Sequence, residues 1–140
     1  MTRPLSFKII VLLALVQGAL GLLRAYDWMR IGSDLFAQGL LMLPAVGAVA
    51  FLHGMFISVV AGLYFLFVCG ALLAARWARL VCFTAALINL IFVVNALLRE
   101  VPLGQAIVWA LIPAILLLYL VSPTGRAALK SSAGPRQTRR

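Results

Sequence analysis

A single histidine, two cysteines and three carboxylates leave this chain few ways to do acid–base, nucleophilic or metal chemistry. A metal site needs three or four ligands, and neither a cysteine nor an acid lies near His53 in the chain. Bis-histidine haem ligation would need His53 from two protomers and a dedicated pocket. Cys69 and Cys82 flank the Arg76–Arg79 island inside apolar stretches, where free thiols behave as small hydrophobes. Asp27, Asp34 and Glu100 share two polar islands with Arg24, Arg30 and Arg99, so each acid has a basic neighbour. Without a nucleophile beside a base, or two acids set apart in environment, no catalytic constellation can be assembled. The expectation is a protein with no enzymatic activity, no cofactor and no metal.

Uncharged polar residues are the next candidates. Gln17 is the polar side chain in the interior of the first apolar run, beyond Ser6 and Lys8 at its start, and Asn89 and Asn95 lie in the third. An amide in hydrocarbon is costly unless paired, and pairing between helices contributes about 0.6 to 2 kcal/mol. Asn89 is therefore expected to hold helices together. Asn89, Asn95, Ser58 and Thr84 are the candidates for lining a solute pathway. Six residues separate the two asparagines, about 240° around a helix, which argues against a single polar stripe. Gly54, Ser58 and Gly62 recur every fourth residue, a pattern that lets membrane helices approach closely.

These residues must be positioned by apolar elements, because 65% of the 140 residues are hydrophobic and only 11% are charged. Soluble domains carry about a quarter charged residues. The runs predict an all-α integral membrane protein, with spans at about 5–23, 56–75, 80–98 and 103–121 in an antiparallel bundle. From Leu35 to Ala75 no residue carries a formal charge, about twice what one crossing needs. A fifth span turning at His53-Gly54 would break the charge rule described next. The preferred reading makes the surplus an interfacial or re-entrant segment, loosened by Gly39, Pro44 and Gly47. Gly32 should stop the first helix, and Ser33 should cap a new one.

Arg3, Lys8, Arg76, Arg79 and the basic residues of the 126–140 tail all fall on one side of this arrangement. The charge-neutral islands at residues 24–34 and 99–102 fall on the other. The positive-inside rule then sets both termini in the cytoplasm. A secretory leader ending near Ala19-Leu20-Gly21 is the alternative for the first run, although its apolar stretch is long for a leader. The net charge of +9 is explained by topology and by attraction of the tail to anionic lipid headgroups. Nucleic-acid binding is not expected, since no basic face is interleaved with aromatic residues. Arginine-dominated basic positions and a lean toward leucine, alanine and valine fit a GC-rich bacterial genome, and the expected location is the bacterial inner membrane.

Four spans at this length resemble the small multidrug-resistance transporters. Their proton-exchanging glutamate within the first span has no counterpart here, because no acid lies inside any span. Two functions remain. One is an accessory or assembly subunit that packs on a larger membrane complex or forms a homo-oligomer, touching partner or lipid through Leu40 and Leu43. The other is a small dimeric channel or transporter for a neutral or weakly polar solute.

Overall fold

The apolar runs become helices in the computed structural model, which describes residues 5–37, 43–73, 75–99 and 102–131. In chain order they are α1 Leu5–Ala37, α2 Leu43–Leu72, α3 Ala78–Leu98, α4 Leu103–Val121 and the short α5 Pro123–Ser131. The first four are long and apolar enough to cross a membrane. Many of their outward side chains are large and apolar, Leu12, Leu80, Leu98 and Leu118 among them. This is the composition expected where the surrounding solvent is hydrocarbon.

α3 and α4 keep close to the predicted bounds, 80–98 and 103–121. α1 and α2 do not. The first run continues through Arg24, Gly32 and Ser33 to Ala37, so Gly32 neither stops the helix nor hands over to a cap at Ser33. In place of an interfacial or re-entrant segment, residues 43–55 belong to the same unbroken helix as residues 56–72. No turn interrupts α2 at His53-Gly54, which removes the five-span alternative. Pro44 sits in the first turn of α2, where its missing N–H would have had no helical partner anyway. Leu40 lies outside the described residues, as does the side chain of Leu43.

At about 1.5 Å per residue, the 33 residues of α1 and the 30 of α2 span about 50 and 45 Å, well beyond a hydrocarbon core of about 30 Å. These long helices meet along small residues seven apart, Gly18, Ala25 and Gly32 on α1 and Gly47, Gly54 and Ala61 on α2. Gly18, Ala25 and Gly32 face Phe65, Gly54 and Gly47 in turn, with Gly21 against Ala61 between them. A Cβ added at Gly32 would lie 2.8 Å from the Gly47 carbonyl oxygen and from the Phe51 nitrogen. One added at Gly54 would lie 2.8 Å from the Ala25 carbonyl oxygen. The backbones touch, and only glycine permits it.

The predicted four-residue row is only partly used. Gly54 is buried in this contact, whereas Ser58 folds back on the Gly54 carbonyl at 3.1 Å and Gly62 is exposed with nothing within 4 Å of its Cβ position. Steps of four residues advance about 40° around a helix, so such a row turns away from a straight neighbour. Steps of seven turn only about 20° the other way and stay at the contact.

The packed core fills one end of the bundle. It joins Phe7, Ile10 and Ala14 of α1, Tyr64 and Phe67 of α2, Cys82 and Ala86 of α3, and Leu116 and Leu120 of α4. Beyond it, Ser122 ends α4 and starts α5. Its hydroxyl donates to the Tyr119 carbonyl at 2.6 Å and accepts from the Gly125 N–H at 3.0 Å. That second bond caps the new helix at its third amide.

Candidate functional site

Above the core the four long helices separate and enclose a cavity of about 340 Å³. This lies at the small end of the range for ligand pockets, about 300 to 1,000 Å³. α1 contributes Gln17, Gly21, Arg24 and Trp28. Their spacing of four, three and four residues keeps them on one helical face. α2 supplies the apolar wall Ile57, Val60 and Ala61, with Tyr64 below it. α3 supplies Asn89, Phe92, Val93, Asn95, Ala96 and Arg99, and α4 supplies Trp109.

The cavity has a polar floor, apolar walls and a cationic rim. At the floor, Asn89 Nδ2 donates to Tyr64 Oη at 2.9 Å, tying α3 to α2. The buried Gln17 lines the same floor from α1. At the rim, the half-buried Arg24 guanidinium lies 4.5 Å from the ring centroid of Trp109, a stack of α1 on α4. Arg99 lines the rim from the end of α3. Beside it, His53 is held by rings rather than by ions. Trp28 meets it edge-on at 4.9 Å and Phe92 at 5.7 Å, and Phe92 in turn packs on Phe56 at 5.3 Å.

Asn89 and Asn95 lie too far around α3 to form a single polar stripe, yet both line this cavity. The angular argument holds, but the cavity wraps wide enough around α3 to take in two adjoining faces. Phe92 and Arg99 bridge them at three- and four-residue steps. Ser58 and Thr84, the other pathway candidates, do not line it. Ser58 bonds its own helix, and Thr84 is exposed. Asp27, Arg30 and Asp34 are exposed on α1, and among the described residues no ion pair links them to Arg24. Among the described residues no three His, Cys, Asp or Glu side chains gather as a metal group.

Sequence reasoning missed Tyr64, Trp28 and Trp109 as site residues and placed Arg24 in a charge-neutral island beyond the first span. The signal within reach was the stripe Gln17-Gly21-Arg24-Trp28, which continues a polar face across the supposed end of the span. The chain matches no protein-family model, and neither the curated proteins nor the solved structures include one similar to it.

Proposed function

We propose that this is a non-enzymatic, multi-pass protein of a bacterial inner membrane that binds a small molecule inside an antiparallel four-helix bundle. Both termini lie in the cytoplasm, and the cavity opens toward the periplasmic side, as the positive-inside rule requires. The observation that carries the binding reading is the cavity itself. Polar groups from three helices converge at its floor, aromatic side chains line its rim, and packed core lies beneath it. A convergent pocket between the helices of a bundle is a common place for a ligand. Because the packed core closes the other end, the site suits binding and presentation of a molecule better than free passage through the bundle. Filling the cavity tests this. Ala96→Phe should abolish a bound mass seen by native mass spectrometry of the wild type, while helical content and the unfolding midpoint in detergent are retained. A wild type that carries and takes up no small molecule would reverse the reading.

A second reading, that the protein is an accessory subunit of a larger membrane complex, draws on a different observation. Near the cavity rim α1 and α2 run past the ends of α4 and α3 by about one to two turns, judged from the levels of Arg24–Trp109 and His53–Phe92. This hairpin exposes Ile31, Phe36 and Val46 at or beyond those ends and Val49 just short of the end of α3. An apolar surface of this kind suits a protein partner, a second copy or lipid. Leu40 and Leu43 belong to the same region of the chain. Val46→Ser with Val49→Ser should release a stoichiometric partner during purification in mild detergent if that reading holds.

A further inference from the structure

Building on the ligand-binding reading above, we propose that the cavity takes an amphipathic organic anion. Its carboxylate or phosphate sits between Arg24 and Arg99, and a hydrogen-bonding group at its far end meets Asn89, Tyr64 and Gln17. Both arginines line the rim, and among the described lining residues there is no Asp or Glu. Glu100 lies outside the described residues. A half-buried cation beside apolar walls is costly without an anion or water to answer it. Arg24 is also held in place. Its guanidinium carbon lies over the Trp109 ring, 4.5 Å from the centroid, and a cation held on a ring in this way keeps N–H groups for paired hydrogen bonds to a carboxylate or phosphate.

The rest of the cavity describes the rest of the ligand. Between rim and floor the walls are Ile57, Val60, Phe92, Val93 and Ala96, all apolar, which an inorganic anion would leave unfilled. The floor is polar again. Seven residues of α1 separate Gln17 from Arg24, about 10 Å, and ten residues of α3 separate Asn89 from Arg99, about 15 Å. A volume of about 340 Å³ suits one short chain rather than the two chains of a phospholipid.

The experiment reads tryptophan emission of the full-length protein in phosphatidylcholine nanodiscs. Trp28 and Trp109 line the cavity, whereas Trp77 stands between α2 and α3 at the other end, so Trp77→Phe serves as the background. The probes are dodecanoate, ω-hydroxydodecanoate, dodecanol and acetate. Saturable responses are expected from both carboxylates, tighter for the ω-hydroxy form, with dodecanol about tenfold weaker and acetate silent. Arg24→Gln should bring dodecanoate down to dodecanol, and Arg24→Lys should keep part of the difference. Asn89→Leu should remove the advantage of the ω-hydroxyl while leaving the preference for the carboxylate, a split that simple misfolding would not produce. Phosphatidylglycerol in the nanodisc separates two sources of the same chemistry. Competition with dodecanoate would overturn the single-chain ligand in favour of a membrane lipid, and its absence is the result expected of a free amphiphile. Equal affinity for dodecanol and dodecanoate, or an Arg24→Gln variant that keeps the preference, would overturn the anion while leaving a ligand site. No saturable response to any probe would overturn both.

Discussion

The Asn89–Tyr64 hydrogen bond ties α2 to α3, and it forms part of the floor of the cavity at the same time. In an apolar surrounding the alternative for each group is a lost partner, so the bond should contribute about 1 kcal/mol. Asn89→Leu and Tyr64→Phe should each lower stability by about that amount. Their double mutant should cost little more than either alone, because both changes remove one interaction. Unfolding of the four proteins in the same detergent measures the coupling, and strict additivity would show the bond to be incidental. Cys82 and Cys69 differ in a way their shared chemistry conceals. Cys82 is fully buried in the core, while Cys69 is exposed on α2. Cys82→Leu should therefore destabilise by about 1 to 3 kcal/mol through overpacking, and Cys69→Leu by less than about 0.5 kcal/mol.

At the scale of elements, the pairing of α1 with α2 depends on backbone contact at Gly32, Gly47 and Gly54. A side chain at any of these must push the helices apart. Gly54→Leu is expected to lower the unfolding midpoint markedly, at a cost of about 3 kcal/mol or more, because backbone has little room to shift. Gly62→Leu, eight residues along the same helix, should be almost neutral, since nothing stands within 4 Å of its Cβ position. Comparable effects of the two would mean that the exposed face of α2 packs against something in the native membrane. Gly32 also explains why α1 does not stop where its sequence reads as a stop. The residue favoured at a helix end is the same one favoured where two helices touch, and contact with α2 decides between these uses.

For the whole molecule, packed core at one end and cavity at the other make the bundle asymmetric along its axis. The two ends also differ in charge, with Arg76 and Arg79 beside the core and the neutral island of residues 24–34 beyond the cavity. Orientation in the membrane is thus a functional statement, because it decides which compartment the cavity addresses. In a background of Cys69→Ala and Cys82→Ala, a cysteine at exposed Ser33 should react with a membrane-impermeant maleimide added to intact cells. A cysteine at exposed Trp77 should not. The reverse pattern would turn the cavity toward the cytoplasm.

The membrane character, the all-helical architecture and the bounds of α3 and α4 were legible in the sequence alone. α3 lies between Arg76 and Arg99, and α4 between Pro102 and Ser122-Pro123, where a span and a helix stop together. The lengths of α1 and α2 were not legible, because a helix satisfies its own backbone hydrogen bonds and need not end where the hydrocarbon does. The first helix therefore reads as ending at Gly32 but continues to Ala37. The cavity was still further from view. Spacing along one helix reveals a face, such as Gln17-Gly21-Arg24-Trp28, but not what that face meets. Only tertiary packing brings Trp109 under Arg24 and Tyr64 to Asn89, since those partners lie 85 and 25 residues apart and their pairing depends on how four helices pack side by side.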